Sequence, residues 1–202
     1  KKYLVGPGDT FMLNMLSADV IVNIDLVINA AYKAIKKASE IIDMKVHKGT
    51  HPRMGATDVC PIIPIKNINM DECVRLSKIL AKRVGKELNI PVFLYEASSL
   101  NENRSNLAVI RKGEYEGMKD KIKKKEWKPD FGPSFIHDKA GVTAIGAREL
   151  LIAYNINLNT MNKSIASDIA LDIREVGRAK RDKTGKIIRD KNGNIIKIPG
   201  KL

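Results

Sequence analysis

Cysteine is scarce in this chain, with Cys60 and Cys73 the only two in 202 residues. Their spacing fits neither a CxxC redox pair nor a paired zinc knuckle, and two thiols cannot build a disulfide framework, so both are expected to be reduced cytosolic thiols. Aromatic residues make up 5% and no recognisable reading motif accompanies them, which weighs against a nucleic-acid reader. No apolar run approaches the roughly 20 residues of a membrane-spanning helix, and the basic start Lys1-Lys2-Tyr3 is not followed by the apolar core of a signal peptide. The expectation is a cytoplasmic protein with neither membrane nor nucleic acid as partner. Acidic residues are outnumbered, 23 against 36 basic ones, for a net charge of +13. Most of the excess sits in two segments: Arg174 to Leu202 has ten Lys or Arg against three Asp or Glu, and Arg111 to Lys128 has eight against four. Such a field is either a solvated lysine-rich surface or an attractor of polyanions.

What is present is the composition of a globular chain, 44% hydrophobic, enough for one sizeable core or two small ones. Val27 to Asp43 places Ile28, Ala31, Ile35, Ala38 and Ile42 at helical spacing with Lys33, Lys36 and Lys37 opposite, predicting an amphipathic helix. The run "DVIVNID" ahead of it is β-branched and of strand type. A second helix is predicted from Asn69, which forms a capping box with Glu72, and its buried stripe is Cys73, Leu76, Leu80, Val84 and Leu88. Asn89 ends it and "IPVFLY" follows as an apolar strand. Strand, helix and strand in this order point to an α/β or α+β arrangement.

Short charged helical pieces are expected from Leu107 to Trp127, then an irregular loop, "PDFGPSFIHDKAG". "LIAYNINLN" alternates as a strand does, with Ile152, Tyr154, Ile156 and Leu158 on a core face. Asn155 and Asn157 on its other face meet either solvent or a substrate. A third helix, from about 162 to 179, is expected to bury Ile165, Ile169, Ile173 and Val176. The tail repeats "RDKTGKII" as "RDKNGNII", predicting a hairpin or a pair of short turns in a basic arm.

The densest chemistry lies in "HKGTHPRMGATDVCP", residues 47–61. His47 and His51 are four apart, as metal ligands on a helix would be, but Gly49 and Pro52 argue against a helix and no third ligand stands at a customary spacing. Cys60 lies among apolar neighbours and reads as a core thiol, not a nucleophile. The remaining catalytic reading is a histidine acid/base, because imidazole alone titrates near neutrality without help. His51 fits that role: Pro52 and Gly55 stiffen its loop, and Arg53 and Asp58 stand close enough in sequence to anchor an anion and orient the ring. A histidine simply hydrogen-bonded in a loop fits the same spacing.

The stretch "IIDMKVHKGTHPRMGATDVCPIIPI" (41–65) resembles the signature of the formiminotransferase family, the glutamate formimidoyltransferases that also form the front half of formiminotransferase-cyclodeaminase. "DECVRLSKILAKRVGKELNIPVFLYE" (71–96), "IRKGEYEGM" (110–118), "WKPDFGPSFIHDKAGVTAIGARELLIAYNINLNT" (127–160) and "IREVGRAKRDKTGKIIRDKNGNIIKIPGKL" (173–202) are similar to it as well. The resemblance implies an α+β fold, a mixed β-sheet with helices packed on it as a two-layer sandwich, of the family's N-terminal subdomain type. It implies transfer of the formimino group from N-formimidoyl-L-glutamate to N5 of the co-substrate tetrahydrofolate, with release of L-glutamate in histidine breakdown and no metal. The family's catalytic histidine falls on His51. Its folate-binding loop falls on Gly132, Pro133, Ser134, Phe135, Ile136, His137, Asp138, Lys139, Ala140 and Gly141, where the proline and the flanking glycines would let backbone lie against a flat pterin. Arg53 or Arg111 is the candidate for a substrate carboxylate, with a surface ion pair as the other reading of each. The basic excess gains a candidate purpose in the glutamate tails of polyglutamylated folates.

Two departures bear on these expectations. The family's opening "ECVPNFSEG"-like and "NRTVxTFVG"-like segments have no counterpart in residues 1–26, which leaves Asp9 as the nearest acidic candidate there. The subdomain is therefore expected over 1–179, and 180–202 as a basic linker or hairpin leading to a C-terminal subdomain that the chain lacks. A homodimer, a separate cyclodeaminase as partner, and a folate-binding module without turnover are the remaining expectations from the same likeness.

Overall fold

The computed structural model describes residues 11–12, 24–49, 51–151 and 156–200. The chain divides into two compact units, residues 1–151 and 152–202. In the first, strand β1 (Phe11–Met12) precedes helix α1 (Ile24–Ile41). Ile28, Ala31, Ile35 and Ala38 are buried along α1 while Lys33, Lys36 and Lys37 are exposed, so its apolar stripe is the face it packs. Most of "DVIVNID" lies outside the described residues; its last two residues, Ile24 and Asp25, open the helix instead of closing a strand.

Strand β2 (Thr57–Ile62) leads to helix α2 (Met70–Glu87). Asn69 caps α2 as expected, its side-chain oxygen accepting the Glu72 N–H at 2.9 Å, and Asn89 leaves the helix with a φ of 52°. Cys73, Leu76, Leu80 and Val84 are buried and Leu88 half-buried. Strand β3 (Val92–Glu96), helices α3 (Leu107–Arg111) and α4 (Glu114–Lys121), and strand β4 (Thr143–Ala147) complete the unit. Sequence periodicity does not announce β2 or β4: "TDVCPI" carries a proline, "TAIGA" is small, and both are buried along their whole length, so no alternation marks them.

The strands form one sheet in the order β1-β2-β4-β3. The α+β class holds, with a difference in the sheet. Where a mixed sheet is expected, every described strand pair of this sheet is parallel, because helical connections return the chain to the same end of the sheet each time; antiparallel contacts within the unit are single bridges such as Gly55 to Gly141. Apolar side chains also leave the sheet from both faces. Cys60, Ile62, Leu94 and Ile145 pack with α1 and α2, and Val59, Phe93, Tyr95 and Ala144 pack with Ile110, Met118 and Ile122. The two-layer expectation therefore becomes helical cover on both sides, the alternation of a strand supplying each core in turn.

In the second unit, helix α5 (Lys163–Ile173) precedes the antiparallel pair β5 (Arg178–Ala179) and β6 (Lys197–Ile198). Residues 152–155 of the expected alternating strand lie outside the described residues; Ile156 and Leu158 are exposed and in no strand. The stripe of Ile165, Ile169, Ile173 and Val176 is likewise exposed, not buried. Periodicity identifies which face of a helix is apolar, not whether anything covers it. Each copy of the tail repeat forms a tight turn. Asp182 N–H donates to the Lys186 carbonyl at 2.9 Å and Asp190 N–H to the Asn194 carbonyl at 2.8 Å.

Candidate active site

The loop entering β2 is organised by one buried guanidinium. Arg53 is 6% exposed and donates to Glu116 at 2.7 and 3.0 Å, to Glu114 at 2.9 Å and to the His47 carbonyl at 3.1 Å. Its own carbonyl accepts the Tyr115 N–H at 2.9 Å. Two successive left-handed residues, Gly113 at φ 92° and Glu114 at φ 54°, turn the start of α4 so that both carboxylates reach the arginine. For a non-glycine residue that conformation costs about 1–2 kcal/mol, offset here by charge-assisted hydrogen bonds. The Arg53 bonds hold the Glu116 carboxyl down at about 2.

A second ion pair fixes the other end of the loop. Asp58, 1% exposed, accepts the Met54 N–H at 2.9 Å and pairs with Arg111 at the end of α3. Burial pushes the Asp58 carboxyl above its ordinary value and the Arg111 charge opposes that shift without cancelling it.

The loop entering β4 is laid directly on the first. Ala56 N–H donates to the Ala140 carbonyl at 2.8 Å and Val142 N–H to the Met54 carbonyl at 3.0 Å. The crossing is backbone on backbone: a Cβ on Gly141, whose φ is +73°, would stand 2.3 Å from the Met54 oxygen, and one on Gly55 1.9 Å from the Val142 oxygen. At the loop's other end a Cβ on Gly132 would stand 2.6 Å from the Ile90 oxygen. The flanking glycines thus permit close approach to the protein's own backbone. His137 turns the loop, its Nδ1 accepting the Ala140 N–H at 2.9 Å, which leaves Nε2 to carry the proton of the neutral ring. Tyr115 donates to the Asp138 carbonyl at 3.2 Å, and Lys45 pairs with the Asp138 carboxylate at 3.1 Å. Ser134 and Phe135 remain exposed, Phe135 at 66%.

Among the expected site residues, His51 is exposed and its ring has no hydrogen-bond partner among the described residues. Arg53 and Arg111, the candidates for a substrate carboxylate, both have their guanidinium on carboxylates of the fold, and Asp58 serves Arg111 and Met54, not the His51 ring. Asn157 is exposed; Asp9 and Asn155 lie outside the described residues. No group of three or more His, Cys, Asp or Glu able to hold a metal ion stands together among the described residues. Sequence reasoning gave Glu114, Tyr115 and Glu116 no role. Their only signal was their place inside "IRKGEYEGM", since nothing in their spacing says that they face a residue some sixty positions earlier.

The family described as "Formiminotransferase domain, N-terminal subdomain" matches residues 12–148, a span that contains both loops and the five charged residues Arg53, Asp58, Arg111, Glu114 and Glu116. The chain belongs to the formiminotransferase family. It is 55% identical over 148 residues to the glutamate formimidoyltransferase of Streptococcus pyogenes serotype M1, covering 73% of this chain and 50% of that protein. To the glutamate formimidoyltransferase of Thermoplasma acidophilum it is 53% identical over 149 residues, 73% of this chain and 49% of that one. To the formimidoyltransferase-cyclodeaminase of Rattus norvegicus it is 48% identical over 163 residues, 81% of this chain and 30% of that one. The chain spans about half the length of the glutamate formimidoyltransferases it matches.

Proposed function

We propose that the chain supplies the catalytic half of a glutamate formimidoyltransferase, moving a formimino group from N-formimidoyl-L-glutamate to N5 of tetrahydrofolate. The observation that carries this reading is the backbone seam at Gly55 and Gly141, which ties the His51 loop to the 132–141 loop in a chain 55% identical to a glutamate formimidoyltransferase. N5 attacks the amidine carbon, the N5–C bond forms, and a tetrahedral intermediate results. The bond from that carbon to the glutamate nitrogen then breaks, and the proton lost from N5 ends on the departing amine. His51 carries it: an exposed imidazole can take a proton from one amine and deliver it to another within one turnover. Holding both substrates together is the other half of the task, and the exposed ring of Phe135 offers a face on which a pterin stacks. Arg53 and Arg111 act inside the fold in this reading, keeping the His51 loop in shape through Glu114, Glu116 and Asp58.

The test is glutamate release by the purified chain given N-formimidoyl-L-glutamate and tetrahydrofolate, beside His51→Ala. Release that falls about 100-fold or more in the variant, with tetrahydrofolate binding unchanged, is the expected result. Binding of tetrahydrofolate without release in either protein would mean a folate-binding module and would sink the transferase assignment for this chain.

A further inference from the structure

The closed loop before β2 holds a second imidazole whose arrangement the reaction as described does not use. Both ring nitrogens of His47 are shut off from solvent, and neither makes a hydrogen bond among the described residues. A buried polar group left unpaired loses its hydrogen bonds to water and gains none in return, so such a group calls for an explanation. The His47 N–H donates to the Asp43 carbonyl at 2.9 Å, and its carbonyl accepts Arg53 Nη2 at 3.1 Å. That second bond closes residues 47–53 into one ring of chain, with His47 at one end and His51 two residues from the other. The guanidinium that closes it is the one clamped by Glu114 and Glu116. The Arg53 clamp therefore ends on His47, fixing its backbone while both ring nitrogens stay without partners among the described residues.

We propose that His47 is a binding residue for the formimidoyl donor, one of its ring nitrogens accepting an N–H of the donor's amidine group. The proposal rests on the formimidoyltransferase reading above. A protonated amidine presents N–H donors and no acceptor, whereas a neutral imidazole keeps one nitrogen with a free lone pair. The bound donor thus supplies a hydrogen bond that the fold withholds. His51, exposed on the same closed loop, remains the proton carrier, and the two imidazoles divide binding from proton transfer.

Titration calorimetry with N-formimidoyl-L-glutamate, and separately with tetrahydrofolate, tests this on the wild-type chain, His47→Phe and His47→Gln. The phenylalanine keeps the ring's bulk and removes the acceptor; the glutamine restores one. The expected result is about tenfold weaker donor binding in His47→Phe, the loss of one hydrogen bond, near-wild-type donor binding in His47→Gln, and tetrahydrofolate binding unchanged in both. Imidazole nitrogen NMR of the wild-type chain covers the case of a variant that does not fold, since only three histidines contribute signals. The His47 ring resonances should move when the donor is added and stay when tetrahydrofolate is added. Donor binding that leaves the His47 resonances in place, or that His47→Phe does not weaken, overturns the role of His47 and spares the transferase reading. A wild-type chain that binds no donor overturns both.

Discussion

Asp58 is a carboxylate almost wholly removed from water, with one charged neighbour and one backbone N–H to keep it there. Removing either member of such a pair has unequal consequences, because the group left behind decides the cost. Arg111→Met strands the Asp58 charge in a site where its side chain is 2% exposed, and should cost about 3 kcal/mol or more. Asp58→Asn keeps an acceptor for the Met54 N–H and leaves Arg111, 22% exposed, able to reach solvent, so its cost should be smaller. Urea unfolding of the two variants checks the order. The Arg53–Glu116 pair adds a pH dependence of known sign. Its folded carboxyl sits at about 2, below the ordinary 4.5, so the unfolded chain binds the proton more readily as pH falls. The advantage of the wild type over Glu116→Gln is complete above about pH 4.5 and should vanish by about pH 2; midpoints that stay parallel through that window would show that the pair contributes nothing. Cys60 makes the opposite case, a thiol that burial alone pushes up to about 12 and that therefore stays inert while the chain is folded.

At the scale of elements, what joins the two loops is backbone geometry, and glycine is the residue that permits it. Gly141 and Gly185 both have positive φ, but a Cβ on Gly141 would strike the Met54 oxygen at 2.3 Å while one on Gly185 would meet nothing within 4 Å. Gly185→Ala should therefore cost only the conformational penalty of about 1 kcal/mol, and Gly141→Ala about 3 kcal/mol or more, since it adds overpacking to the same penalty. Denaturant midpoints of the two variants measure the difference. Equal costs would mean that the seam between the loops yields without resistance. Element boundaries show how far local pattern reaches. The stripe of α2 and the Asn69 cap were readable because both are set within one helix. The strands β2 and β4 were not, because a strand buried on both faces has no alternation to read.

At the scale of the whole molecule, both apolar clusters are built from residues between Ile28 and Ala147. The first unit consequently owns its core. A chain ending at Leu151 should unfold cooperatively with a thermal midpoint within about 4 °C of the corresponding transition in the full chain, the shift that about 1 kcal/mol produces in a domain of this size. Loss of a cooperative transition, followed by circular dichroism, would show that residues 152–202 are required. Those residues contain no buried position in α5, although Ile165, Ile169 and Ile173 recur along it at helical spacing.

The contrast separates what each level decided. Sequence by itself determined the helical periods, the cap at Asn69, the thiols as core residues and the two stretches that resemble the family's motifs, because each is a property of neighbouring residues or of a contiguous motif. Only the tertiary structure decided that Arg53 and Arg111 answer carboxylates of the fold, that the loop glycines face backbone, and that both ring nitrogens of His47 are covered without a hydrogen-bond partner among the described residues. Each of those depends on residues brought together from distant parts of the chain, and no local rule of spacing or charge specifies which distant group a buried charge will meet.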